Sequence, residues 1–167
     1  MGEGAKQYLF QDMKIKQDSI FDFGELYQRL FSWFEVMGYE FYEKSYEKFD
    51  LGGATNLKIF WEATKKVDGY TKFVIEPSFF IIGLTKVEIE KDGLKIKTNK
   101  CTMEMRISAY LIKDVDNKMQ KSMGNFGRHI YEKYVAKDRL DDHELRLYEE
   151  AHLFMDEIKS FVSMHKF

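Results

Sequence analysis

Two Asp-Gly dipeptides, at positions 68–69 and 92–93, divide residues 56–114 into three long segments rich in Ile, Val, Phe and Thr. Asp-Gly between alternating apolar residues is the strongest short-range sequence signal for a β-hairpin. The region therefore predicts three antiparallel strands joined by two hairpins. It restricts the fold more than any other stretch, because hairpin register decides which side chains share a face of the sheet.

At the first hairpin, a three-residue loop aligns the apolar side chains best. It pairs Lys66 with Tyr70, places Gly69 in the left-handed conformation and gives both strands one apolar face around Trp61. A two-residue loop would instead set Trp61 against Glu76. The predicted pairs are Ala63 with Phe73, Trp61 with Ile75, Ile59 with Pro77 and Leu57 with Phe79. Pro77 itself predicts a bend or local break, because proline removes a ladder hydrogen bond.

At the second hairpin, a two-residue type I′ turn is favoured because it sets Ile89 against Ile96 and glutamates against lysines. Beyond it, the apolar residues of the third strand change from even to odd positions between Ile96 and Cys101. This change of parity predicts a β-bulge near residues 99–100. The predicted pairs beyond the bulge are Met105 with Ile81, Ile107 with Phe79 and Leu111 with Ile75.

The opposite face of these strands is more apolar than a solvent-facing sheet surface needs to be. We expect another element or a partner to cover part of it. The candidate interaction residues on this face are Phe60, Phe80, Ile82, Leu84 and Tyr110.

Upstream of the hairpins, the sequence predicts a helix and an edge strand. Asp22 and Glu25 form a capping box, and Gly38 supplies the C-terminal stop of the helix. Residues 39–50 repeat with a period of four, which fits a strand or a helix. We favour an edge strand, because Gly52-Gly53 can turn it back into the first long strand.

Downstream, the apolar spacing becomes helical. Asp141 and Glu144 form a second capping box, and the helical pattern continues from there to residue 164. Residues 119–137 are also spaced as a helix, with a loop or kink predicted at Gly124 and Gly127. The fold class is therefore α+β: an antiparallel sheet of four or five long strands, with an N-terminal helix and a long C-terminal helix on its Trp61 face.

The composition suits one domain of 167 residues with its own hydrophobic core. Residues 1–7 are expected to be frayed, and residues 13–16 alternate like a short strand. A formal charge of −2 gives no global case for nucleic acid or an anionic membrane, although a local patch remains open. The longest apolar run, residues 79–84, is too short to cross a bilayer, which takes roughly 20 residues. A lone cysteine, Cys101, suits a reducing compartment, and we expect a cytoplasmic protein.

No motif predicts catalysis, and we expect no cofactor and no metal. The four histidines include no pair with the i, i+4 spacing of a helical zinc site. Cys101 is expected to be a small buried apolar residue. Tyrosines alternate with lysines from Tyr42 to Lys48 and could stack bases, but the interspersed glutamates favour an ordinary sheet edge and make nucleic acid a poor candidate. An enzyme would have to use Glu62, Glu76 or His152.

The order strand, helix, long antiparallel strands and long C-terminal helix resembles the helix-grip arrangement of START and Bet v 1-like domains. That resemblance implies an apolar cavity between the sheet and the last helix, although this chain has fewer strands and an extra helical segment at residues 119–137. The residues that would line such a cavity are Trp61, Phe79, Met103, Met105, Phe154 and Ile158. The stretch from Trp61 to Tyr134 also resembles small archaeal domains without an assigned activity.

The sequence favours a non-catalytic interaction module that uses the apolar outer residues for self-association or for a protein partner. The first alternative is a carrier of an apolar small molecule, and the second is an enzyme of the helix-grip type.

Overall fold

The structure, a computed structural model, describes residues 4–164. Within that range the chain has an α+β fold with one five-stranded antiparallel sheet, in the strand order β1-β5-β4-β3-β2. The strands are β1 (Ala5–Ile20), β2 (Glu40–Asp50), β3 (Thr55–Lys66), β4 (Thr71–Lys91) and β5 (Leu94–Lys113). The helices are α1 (Phe23–Val36), α2 (Lys118–Ile130) and α3 (Lys137–Met164), with a π-helical turn (Tyr131–Val135) between α2 and α3.

Helix α1 begins and ends as the sequence predicts. The Asp22 carboxylate accepts a hydrogen bond from the Glu25 N–H at 3.1 Å, and Gly38 beyond the helix has φ +81°. A positive φ is available to glycine without the steric penalty of a side chain. The helix buries Leu26, Leu30 and Phe34 against the sheet.

Helix α3 begins at Lys137, before the predicted capping box. Asp141 and Glu144 therefore lie inside the helix, and the predicted box is wrong. Glu144 instead accepts a hydrogen bond from the amide of Gln7 on β1. The inner side of α3 buries Leu147, Ala151, Phe154, Met155 and Ile158.

The core lies between the helices and the Trp61 face of the sheet, as predicted. The Trp61 ring meets the rings of Phe41, Phe79 and Tyr27 edge to face, with centroids 4.6 to 4.9 Å apart. Such geometry sets the positive ring edges against negative ring faces. Cys101 is buried in the same cluster, also as predicted.

The first hairpin has the predicted face but a different register. Lys66 pairs with Lys72 and Ala63 with Ile75, so the loop is longer than three residues. Asp68 explains the longer loop, because its Oδ1 accepts hydrogen bonds from the N–H groups of Tyr70 and Thr71, both at 2.7 Å. A shift of two residues keeps every side chain on its face.

The β3–β4 ladder is interrupted at Pro77, which confirms the predicted local break. The register is the same on both sides of the interruption. Cα partners run from Leu57–Ile81 to Phe60–Ser78 and resume at Ala63–Ile75. β4 itself continues through Pro77.

The second hairpin confirms the type I′ turn. Ile89 pairs with Ile96, and Asp92 and Gly93 both have positive φ, 53° and 77°. The predicted bulge at residues 99–100 is wrong: the register shift lies on β4 between Ile82 and Thr85, where Gly83 has φ +66°. A bulge on either strand changes the relative parity, so the sequence pattern alone did not separate the two.

The N-terminal strand is longer than predicted. β1 starts at Ala5, which pairs with Lys113, so residues 5–7 are not frayed, while residues 1–3 lie outside the described range. Gly4 lies so close to β5 that a Cβ there would stand 2.1 Å from the Lys113 carbonyl oxygen. Residues 39–50 contribute the edge strand β2, as favoured.

Candidate interaction surface

The side of the sheet that faces away from the helices is named the outer face. Its centre carries Phe60 and Phe80, whose rings meet edge to face at 5.8 Å, and the Arg106 guanidinium lies 5.5 Å from the Phe80 ring centre. Ile82 follows Phe80 on the same side and is 52% exposed. These residues form a partly apolar patch open to solvent.

Beyond this patch, β4 and β5 project past the rest of the sheet. β3 pairs with β4 only as far as Leu84, and β1 pairs with β5 only as far as Lys100. Beyond these limits β4 and β5 have no third strand beside them, and we name this two-stranded projection, residues 85–99, the ribbon. An isolated two-stranded hairpin is marginally stable in water, so the stability of the ribbon depends on whether its apolar side is covered.

The Gly83 bulge decides which side of the ribbon is apolar. β5 has no bulge here, so Leu94 and Ile96 lie on the same side as Thr102 and Arg106, the outer face. Val87 and Ile89 are at odd positions, like the core residues before the bulge. The extra residue on β4 reverses the alternation and brings them to the same outer side as Leu94 and Ile96.

The ribbon is thus amphipathic with its apolar side away from the helices. Leu94 is 68% exposed and Ile96 40%, while Val87 and Ile89 are half-buried. The opposite side places Glu88 against Lys97 and Glu90 against Lys95, as predicted. Nothing within residues 4–164 packs over Leu94 at the tip.

Two of the five predicted interaction residues do not belong to this surface. Leu84 stands after the bulge and packs against the core on the helix side. Tyr110 is buried, because the Tyr8 ring lies 4.8 Å from it and its hydroxyl donates to Glu76 at 2.7 Å. The pKa of Tyr110 is raised, mainly by burial and secondly by the Glu76 carboxylate.

Phe60, Phe80 and Ile82 remain, and sequence reasoning missed Val87, Ile89, Leu94 and Ile96. The signal was present in Gly83, the one residue near the parity change that adopts a positive φ without strain.

The six residues predicted to line a ligand cavity all belong to the packed core. The space between Trp61, Phe79 and the α1 side chains Leu26 and Leu30 is too narrow for a water molecule. These residues come together as predicted, but they fill the interior.

The candidate catalytic groups do not converge. Glu62 pairs with Lys44 at 3.2 Å and Glu76 accepts from Tyr110, both on the outer face, whereas His152 lies on α3 beside Tyr148. The pKa of the Cys101 thiol is raised to about 11, mainly by burial and to a lesser extent by nearby Asp18. This opposes thiolate formation. No cluster of three or more His, Cys, Asp or Glu side chains in residues 4–164 is placed to hold a metal ion.

A polar cluster joins the loop after β3 to the helices at the other end of the sheet. Asp68 Oδ2 lies 2.9 Å from His143 Nε2 and 3.4 Å from Arg139 Nε. Glu132, in the π-helical turn, accepts hydrogen bonds from the Tyr70 hydroxyl at 2.6 Å and from Lys113 at 2.9 Å. π-helical turns often mark functional sites, but here these side chains are engaged in holding the turn to the sheet.

No helix of the described residues is both long and apolar enough to cross a membrane. Searches for related proteins found no matching family model, no matching curated protein and no matching solved structure.

Proposed function

We propose that this protein is a non-catalytic interaction module that self-associates through the apolar side of the ribbon and the outer-face patch. The observation that carries the proposal is the change of apolar side at Gly83. Before the bulge, the apolar residues at odd positions of β4 face the helices; after it, Val87 and Ile89 lie on the outer side. An exposed apolar strip of this kind marks an interaction site.

The strip is complementary to a second copy of itself. It carries a projecting apolar ribbon at one end and a patch at the other, where Phe80 and Ile82 continue along β4 and Phe60 lies beside them on β3. A two-fold axis near Thr85 lays the ribbon of each copy on the patch of its partner. Ile89 then meets Phe80, with Ile96 beside it on β5, and Val87 meets Ile82. Such an isologous contact satisfies both exposed regions at once.

The size of the strip sets the expected strength of the dimer. From Leu94 to Arg106 it extends roughly 40 Å at 3.3 Å per residue, and two strands are roughly 10 Å wide. This gives roughly 400 Å² per copy, about half the area that a standard interface buries per partner. We therefore expect a dimer that dissociates on dilution.

Sedimentation velocity over a wide concentration range tests the proposal. The wild-type chain should pass from monomer to dimer, and Ile96→Gln should weaken the dimer roughly 7- to 50-fold, because full burial of isoleucine is worth about 1.5–3 kcal/mol, 40% of this side chain is still exposed in the monomer and each dimer contains two. Lys97→Gln is the matched control, with the same new side chain one residue away on the polar side, and should associate like wild type.

A mixing experiment separates this arrangement from ribbon-to-ribbon contact. Phe80→Ser damages the patch and leaves the ribbon intact, so a mixture of Phe80→Ser and Ile96→Gln chains restores one good contact per heterodimer. The mixture should associate more than either variant alone. A wild-type chain that stays monomeric at high concentration, or a mixture no better than its components, would contradict the proposal.

A further inference from the structure

The segment from α2 through the π-helical turn, residues 118–135, exposes the largest apolar side chains at the opposite end of the sheet from the ribbon. Phe126 is 77% exposed, Tyr134 71% and Val135 72%, with Met123 and Ile130 also exposed. Helix α2 packs mainly against the π-helical turn and has little contact with the sheet. These side chains therefore lie on a protruding element.

This segment is held in place at both ends. At its start, the buried Asp114 carboxylate accepts hydrogen bonds from the N–H groups of Met119 and Gln120, at 3.0 and 2.8 Å. At its end, Tyr131 packs its ring against Tyr70 with centroids 5.3 Å apart. The apolar exposure thus belongs to an ordered helix with capped and anchored ends.

A close internal contact also shapes the segment. Gly124 interrupts α2 with φ 67° and ψ −172°, and a Cβ on Gly127 would stand 2.3 Å from the Met123 Cβ. The kink therefore folds the first turns of α2 onto the following ones, and only glycine fits at position 127.

The charges of the segment are nearly all positive. Lys118, Lys121, Arg128 and Lys133 carry its basic groups, of which Lys118 also lies 3.6 Å from Asp116 just before the segment, and its one acid, Glu132, points to the sheet, where it is paired with Lys113. The whole chain has a formal charge of −2, so this segment is a local basic surface on an acidic protein. Cations around exposed aromatic and aliphatic side chains are the pattern of helices that lie in the membrane interface.

We propose that residues 118–135 dock on an anionic lipid bilayer. Charge complementarity points to this occupant: acidic headgroups take the lysines and Arg128, while Phe126, Ile130 and Tyr134, spaced four residues apart along the segment, enter the boundary of the acyl chains. Aromatic stacking on nucleic acid would leave the aliphatic side chains without a use. This surface lies at the other end of β5 from the ribbon and does not depend on self-association.

Co-sedimentation of the full chain with lipid vesicles tests the proposal. The protein should bind vesicles that contain about one third phosphatidylserine and leave phosphatidylcholine vesicles unbound, and added salt should release it. The paired substitution Lys118→Gln with Lys121→Gln should weaken binding about 25-fold, since each basic residue near such a surface strengthens it about fivefold. Lys95→Gln with Lys97→Gln on the ribbon changes the net charge equally and should have no effect.

The apolar part of the contact is tested separately. Phe126→Ser should weaken vesicle binding, whereas Leu153→Ser, at an exposed apolar position on the far part of α3, should not. Circular dichroism of each variant checks that the helices are intact. No binding to phosphatidylserine vesicles, equal losses in the two lysine pairs, or a lipid-independent association abolished by Phe126→Ser would each overturn the proposal.

Discussion

Lys65 is a nearly buried cation whose partners lie on α3 and in the turn that follows α1. Its ammonium group donates to the Met37 carbonyl at the end of α1 at 3.0 Å, pairs with Glu150 of α3 and lies 4.4 Å from the Tyr39 ring centre. Burial first, then Glu150, raises the pKa of Tyr39, so its hydroxyl remains a donor to that carboxylate. Lys65 therefore joins β3 to both helices.

Replacing Lys65 by Met should remove the closest cation from the buried Glu150 carboxylate and leave it with Arg146 at 3.7 Å and the Tyr39 hydroxyl, so the loss should lie near the lower end of the range for a broken buried pair. Loss of one partner of a buried pair destabilises by about 3–5 kcal/mol, whereas an exposed pair contributes about 1 kcal/mol or less. Lys44→Met breaks the more exposed pair with Glu62 and is the control. Urea unfolding followed by circular dichroism measures both free energies. Equal losses of unfolding free energy in the two variants would show that Lys65 does not join β3 to the two helices.

Asp68 gives the fold a defined acid sensitivity. Burial would raise the pKa of its carboxyl, but hydrogen bonds with His143 and with the N–H groups of Tyr70 and Thr71 hold it below the ordinary value of 3.8. A carboxyl with a lower pKa in the folded state stabilises that state fully above its unfolded pKa. This contribution is lost as the pH falls below about 3.8.

Asp68→Asn should therefore reduce the free energy of unfolding at neutral pH by about 1–2 kcal/mol, the range for hydrogen bonds to a partly exposed charged group. The difference from wild type should shrink as the pH is lowered through the acid range. Asp92→Asn, in the exposed turn of the second hairpin, serves as the control at each pH. A difference that is constant from neutral to acid pH would contradict the assigned role.

At the scale of elements, Gly83 sets the geometry of β4, and Gly69 offers a matched control for its substitution. Gly83 has φ +66° and Gly69 has an ordinary φ, and neither would place a new Cβ within 4 Å of another atom. Gly83→Ala should destabilise by about 1–2 kcal/mol through backbone strain alone. Gly69→Ala should leave stability nearly unchanged or slightly raised. Thermal unfolding of the two variants decides, and similar midpoints would argue against a strained bulge.

The same elements show why faces were predictable when registers were not. The second hairpin has the predicted register at its turn, but the β3–β4 pairs and the β4–β5 pairs on the core side of the bulge differ from prediction by two residues, as in Ala63 with Ile75 instead of Phe73 and Met105 with Phe79 instead of Ile81. Alternation specifies only which face a side chain takes, and a two-residue shift leaves that unchanged. The choice depended on Asp68 and Gly83, whose hydrogen bonds and backbone conformation have no periodic signature.

At the scale of the whole molecule, the fold class and the helices on the Trp61 face followed from periodicity and the cap of α1, and the edge strand β2 followed from the Gly52-Gly53 turn. The exposure of the outer face could not be predicted from the sequence, because the ribbon's exposure depends on where β1 and β3 stop pairing with their neighbours. Local sequence does not encode that limit. The exposure of the segment around Phe126 could not be predicted either, since helical spacing does not reveal whether a partner surface exists.

The pairing of β1 with β5 constrains the order in which the chain acquires structure. Strands β2 to β5 form successive hairpins, each closing a short loop soon after its residues leave the ribosome. β1 is synthesised first, yet Ala5 must wait for Lys113 before it gains a partner. Until then it is an unpaired strand beside a growing sheet, open to capture by other chains. Completion of β5 is therefore the step that ends this vulnerable interval during synthesis.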